Sequence, residues 1–318
     1  MSQLVETLAN SRVIDWLLEP TEPSIRYLTA RDLLEPRPGN RTLSKLQSAI
    51  SKRGWAARIL SLQKDKTWWA TKKTCYRPKF KSTIWHLQVL ADLGLTQKDE
   101  RISNAAELWF DLHLAKDGGY SGNVISHALH RGRGHLCMTG NMVRSLIRFG
   151  YLQDERVKSA INWLVNEQLP DGGWDCFGRP KGTIDGWEAM SAFAEIPVSK
   201  RSPTVRTAIE RGAEFFLKRH LIHEGRPSRT WVTLHYPWHY IYDYLVGLDV
   251  MTRLGYGLGN RMQEVFTMLT SARRPDGSWN LNGNNRYPYL EKPGQPSKMI
   301  TFLALRALKY DGRDFRVQ

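Results

Sequence analysis

The sequence predicts an all-α protein in which about six helical hairpins close into an α/α toroid. Three observations predict this fold. An aromatic residue follows an Asp-Gly or similar turn at a regular spacing, the segments between these turns have helical periodicity, and two classes of helix alternate along the chain.

The repeat is marked by short turns that end in tryptophan or tyrosine. The marked turns span Gln63–Trp69, Lys116–Tyr120, Gln168–Trp174 and Arg273–Trp279. Spacings of 52, 54 and 105 residues separate Trp68, Tyr120, Trp174 and Trp279. Because 105 is about two periods, we place an unmarked repeat around Trp231.

Amphipathic segments predict an outer set of helices at about residues 2–19, 42–63, 100–115, 154–168, 204–220 and 260–272. In 154–168, Val157, Ile161 and Leu164 follow a helical stripe. More apolar segments begin near residues 24, 83, 138, 186, 239 and 298. They predict an inner set, because a helix that is apolar on most sides is packed on most sides.

An open HEAT-like α-solenoid is the alternative architecture, because the segment Pro23–Pro36 also resembles a HEAT-type helix. We expect residues 1–318 to form a single toroid repeat domain, since each repeat adds a layer to a shared core. We also expect a monomer.

Composition favours a cytoplasmic protein with a polyanionic partner. The N-terminal residues do not read as a signal peptide, and no window reaches the roughly 18 apolar residues that a membrane span requires. Cys75, Cys137 and Cys176 are odd in number and widely separated, which argues against a disulfide framework. The 46 Lys and Arg exceed the 31 Asp and Glu and give a net charge of +15.

The Gln and Asp-Gly-x-Trp turns resemble the QW repeats of squalene and oxidosqualene cyclases, and the related repeats of protein prenyltransferase β-subunits. The resemblance covers most of the chain and implies an α/α toroid with an aromatic inner cavity, which in such proteins often binds isoprenoids. The Asp-x-Asp-Asp motif with which squalene cyclases protonate their substrate does not occur in this sequence.

Residues 178–190 resemble the zinc-binding region of the prenyltransferases. Asp185 stands at the aspartate position, but Trp187 stands where a zinc-binding cysteine would be, and indole cannot replace a thiolate ligand. A zinc site at Cys137, Cys176 and His135 is the alternative, although that spacing fits no standard motif. We therefore expect no metal and no cofactor.

The loops that lead from outer to inner helices carry most of the charge imbalance. Loops 64–81, 117–135, 171–186, 223–238 and 273–298 contain 18 Lys and Arg against 8 Asp and Glu. Such residues neutralise phosphates, and aromatic residues between them stack on bases. An ordinary solvated surface is the alternative. The candidate DNA-binding residues are Lys72, Lys73, Arg77, Lys79, Lys81, Arg131, Arg133, Arg179, Lys181, Arg226 and Arg229.

These loops would lie on one edge of the toroid. Inside that edge we expect an aromatic pocket with one catalytic acid. The candidate pocket residues are Trp85, Trp187, Trp238, Tyr240 and Tyr244. The candidate acids are Asp185, Glu188, Asp243 and Asp249, of which Asp185 and Asp243 are favoured. The alternative roles are N-capping for Asp185 and pairing with an arginine for Asp243.

These features favour a base-excising DNA glycosylase, a hydrolase of N-glycosidic bonds. Such an enzyme swings a base into a pocket and sets a carboxylate against the positive charge that develops on the sugar. The alternative is an isoprenoid-diphosphate cyclase, a prenyltransferase-like enzyme or an isoprenoid binder. Its aromatic lining would shield carbocations, and Arg or Lys would hold the diphosphate.

Overall fold

The computed structural model describes residues 12–34, 41–124, 132–225, 228–257, 259–283, 287 and 290–310. Over these ranges the regular structure is helical, and the extended pairing is confined to four isolated bridges. The predicted all-α class is therefore confirmed. No helix within the described ranges is long and apolar enough to cross a membrane.

The helices follow the predicted alternation closely. Those near the predicted inner starts are α2 (Pro23–Leu28), α5 (Thr83–Asp92), α7 (Leu136–Phe149), α9 (Glu188–Ala194), α11 (Tyr244–Arg253) and α13 (Lys298–Tyr310). Those in the predicted outer segments are α1 (Arg12–Leu17), α3 (Arg41–Ile50), α4 (Gly54–Ser61), α6 (Glu100–His113), α8 (Glu155–Asn166), α10 (Pro203–Lys218) and α12 (Gln263–Ser271).

The helices group into two compact units. The first unit comprises the described residues of Met1–Arg58, His220–Trp238 and Tyr242–Gln318, and the second those of Ile59–Arg219 and His239–Ile241. The single-domain expectation for residues 1–318 stays a prediction.

In the second unit, α5, α7 and α9 are buried along nearly their whole length. Helix α7 packs between α5 and α9, while α6, α8 and α10 contact these helices through one apolar face. The outer helices begin at capping side chains, because Asp99, Asp154 and Ser202 each accept a hydrogen bond from a first-turn backbone N–H.

The aromatic residue of each marked turn connects two helices. The indole N–H groups of Trp69, Trp174 and Trp279 each donate to the carbonyl ten residues earlier, at 2.9, 2.8 and 2.7 Å. The backbone N–H groups of Trp69 and Tyr120 donate to the hydroxyl groups of Thr83 and Thr139 on the following buried helices. These turns are therefore structural ties.

The first of these ties corrects one prediction. Trp69, which is 1% exposed, occupies the position that the spacing assigned to Trp68. Trp68 is half-buried and donates its indole N–H to Asp65 at the surface. The spacing alone could not separate two adjacent tryptophans, whereas burial does.

The glutamines of the repeat tie neighbouring outer helices. Gln63 Nε2 donates to the Arg101 carbonyl on α6, and Gln168 Nε2 donates to the Ala208 carbonyl on α10, each at 2.9 Å. The Asp-Gly turn before Trp174 is closed by Asp171, whose carboxylate accepts from the N–H groups of Gly173 and Gly182.

The first unit is stabilised by a buried ion-pair network. Helices α11 and α13 pack together, and Arg306 on α13 donates two hydrogen bonds to Asp249 on α11, at 2.8 and 2.9 Å. Arg306 also donates to Asp32 at 3.0 Å. Because these partners satisfy one another, Asp249 has a structural role.

Candidate functional site

The predicted site residues are divided between the two units. The second unit contains Trp85, Trp187, Tyr240, Asp185 and most of the predicted DNA-binding residues, whereas the first contains Asp243, Trp238, Tyr244 and Arg229. The predicted residues Arg131 and Arg226 lie outside the described residues.

Asp243 caps a helix. It is 0% exposed, its Oδ1 accepts from the Val246 N–H at 2.9 Å, and its Oδ2 accepts from the His235 N–H at 3.1 Å. His235 Nδ1 lies 2.9 Å from the same Oδ2. Both carboxylate oxygens are thus occupied by the fold. Trp238 and Tyr244, from the same predicted pocket, are buried in this unit.

Asp185 is exposed in the short 3-10 turn Ile184–Gly186, and Trp187 rather than Asp185 occupies the N-cap position of α9. The buried acid of this segment is the next carboxylate along the chain, Glu188. Of the two acids in this segment, Asp185 is therefore exposed and Glu188 is buried.

Glu188 is a buried carboxyl group in the first turn of α9 and is 1% exposed. Burial raises its pKa well above the usual range, and the negative charges of Cys176 and Asp185 act in the same direction. Its Oε2 has no hydrogen-bond partner among the described residues. Burial therefore favours the neutral, protonated form of Glu188.

A glycine lets α7 approach this acid. A side-chain carbon at position 140 would lie 2.6 Å from Glu188 Cβ, so only glycine fits there without a shift. Arg144, one turn further along α7, is 2% exposed and lies over the Trp187 ring at 5.8 Å. Its guanidinium also approaches Asp92 at 3.5 Å.

The repeat places two side chains at corresponding positions of α5 and α7. Trp85 and Asn141 follow the tying threonines Thr83 and Thr139 by two residues. In the described part of the chain, Asn141 Oδ1 and Gln88 Nε2 are also buried without a hydrogen-bond partner. Buried polar atoms without a partner are rare in protein interiors, so the unpartnered atoms of Glu188, Asn141 and Gln88 call for an explanation.

An aromatic cluster surrounds Trp85. Its ring centroid lies 4.8 Å from that of Phe80, 5.0 Å from His239, 5.3 Å from Tyr76 and 5.9 Å from Tyr240. The sequence predicted Trp85 and Tyr240 as pocket residues but missed His239. The Nδ1 atom of His239 lies 3.0 Å from Gln88 Oε1, and His239 stands in a tyrosine-rich run rather than in a recognised motif.

Lysine and arginine side chains stand at the exposed side of this cluster. Lys79 Nζ lies 5.3 Å from the Tyr240 ring centroid and 5.8 Å from that of Tyr76, and Arg77 lies 5.9 Å from Tyr76. These distances are typical of cation–π contacts. Other exposed basic candidates include Lys72, Lys73, Lys81, Lys181 and Arg229.

Two predicted DNA-binding arginines are neutralised by carboxylates. Arg133 pairs with Glu167, the C-cap of α8, at 3.2 Å, and Arg179 pairs with Asp175 at 2.7 Å. The charge count over loops omitted Glu167 because it falls in the predicted outer segment 154–168. The described histidines, cysteines and carboxylates include no group of three or more that could hold a metal ion.

No protein-family model and no curated protein sequence matches this chain. Solved structures do match. The type II terpene cyclase MstE from Scytonema is 13% identical, covers 96% of this chain and 98% of its own, and has a TM-score of 0.50. A protein from Actinoplanes is 17% identical over 93% and 92%, with a TM-score of 0.46. An inactive α-1,6-mannanase variant from Salegentibacter is 12% identical over 97% and 98%, with a TM-score of 0.48.

The likeness to MstE concerns the fold. It confirms the α/α-toroid class and the predicted resemblance to terpenoid cyclases. The expectation of a DNA glycosylase is wrong: the matching fold is that of a terpene cyclase, and the favoured acid Asp243 has both oxygens engaged in helix capping. A DNA partner is left without support.

Proposed function

We propose that this chain is an isoprenoid-binding enzyme of the type II cyclase kind, in which Glu188 donates the proton that starts the reaction. The observation that carries the proposal is the buried carboxyl group of Glu188, with Oε2 unpartnered among the described residues and a raised pKa. The likeness of the fold to a type II terpene cyclase supports the same class of reaction.

The protonation step needs an acid that still carries its proton at neutral pH. A carboxyl group kept from water meets this need, because burial disfavours its charged form. The Glu188 proton would add to one carbon of a substrate alkene and leave a carbocation on the other. The π electrons of a neighbouring alkene would close a ring, and a proton would finally leave to a base. Glu188 would regain its proton from solvent.

The carbocation also needs stabilisation that does not react with it. Aromatic faces offer this by cation–π interaction. The rings around Trp85 belong to the same unit as Glu188, and α5 and α9 both pack against α7. Lys79 and Arg77 at the exposed side of the cluster would hold a diphosphate headgroup.

The proposal is tested with geranylgeranyl diphosphate and, as an uncharged probe, squalene. Products are extracted and identified by mass spectrometry, and released inorganic diphosphate is measured in parallel. Wild-type protein should form a cyclic product without releasing diphosphate, because proton-initiated cyclisation leaves the C–O bond intact. Release of diphosphate in step with product would contradict the protonation mechanism.

Two variants locate the acid. Glu188→Gln keeps the shape of the side chain but cannot donate the carboxylic proton, so turnover should fall by about 100-fold or more while ligand binding, followed by tryptophan fluorescence, is retained. Glu195→Gln is the matched control, because Glu195 ends the same helix and pairs with Arg148 at 2.7 Å. Equal activity of the two variants would refute the assignment.

A single domain, a monomer and a cytoplasmic location remain parts of this proposal. The first two are open to direct test. Light scattering should give a mass close to 36.7 kDa. Limited proteolysis should leave no stable fragment that folds by itself.

A further inference from the structure

The second unit contains a pair of cysteines beside Glu188. Cys137 is the second residue of α7, and Cys176 lies in the loop that follows the tie at Trp174. Their Sγ atoms are 3.2 Å apart although the residues are 39 positions apart in sequence. Both thiols are free and half-buried, whereas Cys75 is fully buried.

The loop around Cys176 is held in place yet close to solvent. Asp175 accepts hydrogen bonds from the N–H groups of Phe177 and Arg179, and these bonds fix the turn. Phe177, the next residue after Cys176, is 79% exposed. A small reagent can therefore approach this loop, while the partner thiol of Cys137 already stands within contact distance.

We infer that Cys137 and Cys176 form a reversible disulfide, made by exchange with a low-molecular-weight disulfide, which fastens the loop after Trp174 to the start of α7. A disulfide bond measures about 2.0 Å between its sulfurs. The sulfurs therefore need to approach by roughly 1.2 Å, a movement that a surface loop accommodates.

The two thiols differ in reactivity. The pKa of Cys176 is lowered to about 7, because hydrogen bonding with the Cys137 thiol and with the backbone of Cys137 and Leu136 outweighs the effect of burial. The pKa of Cys137 is raised by its neighbour and by burial. Because Cys176 also lies directly before the exposed Phe177, it is the thiol that attacks first.

The thiol–disulfide exchange proceeds in two steps. The Cys176 thiolate attacks one sulfur of the small disulfide, whose S–S bond breaks and releases one thiolate. Cys137 then loses its proton to solvent and attacks Cys176 Sγ, which displaces the second small thiolate. Two protein thiols are oxidised and one small disulfide is reduced to two thiols. The new bond also removes the negative charge of Cys176 from beside Glu188.

The test uses the full chain and oxidised glutathione, and its readout is thiol content, so it does not depend on the proposed enzymatic function. After incubation, the protein is denatured and alkylated, and its peptides are mapped by mass spectrometry. Wild-type protein should lose the thiols of Cys137 and Cys176 together, yield one cross-linked peptide, and recover both with dithiothreitol. Cys75 should remain free, because burial raises the pKa of its thiol to about 12.

Single variants test the order of attack. Cys137→Ser should accumulate a glutathione adduct on Cys176, whereas Cys176→Ser should react at least ten times more slowly at Cys137. Far-UV circular dichroism confirms that both variants are folded. Two thiols that stay free in wild-type protein, or equal reaction rates in the two variants, would overturn the inference.

Discussion

Replacement of Trp174 by phenylalanine tests whether the aromatic turns stabilise the fold. Trp174 is 0% exposed, and its indole N–H donates to the Leu164 carbonyl at 2.8 Å. That carbonyl lies in the last turn of α8, where the helix itself supplies no donor for the final carbonyls. Trp174→Phe removes the donor and leaves the acceptor buried.

Two contributions set the expected loss of stability. A buried acceptor left without its donor costs about 1–3 kcal/mol. The smaller ring also leaves a cavity, which costs about 1 kcal/mol at roughly 24 cal/mol per Å³. We therefore expect the free energy of unfolding to fall by about 2–4 kcal/mol.

The matched control is Trp68→Phe, which removes the same indole group from a half-buried side chain whose partner, Asp65, is at the surface. It should cost about 0.5 kcal/mol or less. Urea unfolding followed by far-UV circular dichroism measures both variants, with the m-value checked for constancy. If Trp174→Phe costs no more than Trp68→Phe, the turns are not structural ties.

Three further predictions concern other buried positions. Burial raises the pKa of Glu22 to about 7, so its folded state holds a proton that the unfolded state has lost. The free energy of unfolding should therefore fall by up to about 3 kcal/mol as pH rises from about 4.5 to 7, and urea titrations of Glu22→Gln should show a flatter profile. Gly140→Ala should destabilise the protein by about 1–3 kcal/mol because the new carbon meets Glu188 at 2.6 Å, whereas Gly259→Ala, with nothing within 4 Å, should have a small effect; equal melting temperatures would contradict this. Asp243→Ala should cost about 2 kcal/mol or more through loss of the α11 cap and its bond to His235, and an unchanged urea midpoint would refute the capping role.

The fold could be predicted because its signals are local and repeated. The start of α5 at Thr83 and of α13 at Lys298 agrees with the expected inner starts, since apolar runs after turn residues define them. The choice between Trp68 and Trp69 could not be made from spacing, because two neighbouring indoles fit the period equally well and only packing distinguishes them.

The site was harder to predict because it depends on partners that are distant in sequence. Asp243 precedes an apolar helix, which is the ordinary signal of an N-cap, and that signal outweighs its aromatic neighbours. Charged residues were counted over the loops alone, so the count did not include Glu167, which pairs with Arg133. The sequence brought Cys137 and Cys176 together only as an alternative zinc site, and no pattern in it joins His239 to Gln88.

Asp243 and Glu188 differ in the hydrogen bonding of their carboxyl groups. Both are buried, at 0% and 1% exposure, and both stand at the start of a helix in the predicted inner set. Asp243 accepts hydrogen bonds on both oxygens, whereas Glu188 has an oxygen that no described residue satisfies. Burial of a carboxyl group without a partner is destabilising, and carboxyl groups with strongly raised pKa values cluster at functional sites. The protonation proposal therefore rests on Glu188, and capping explains Asp243.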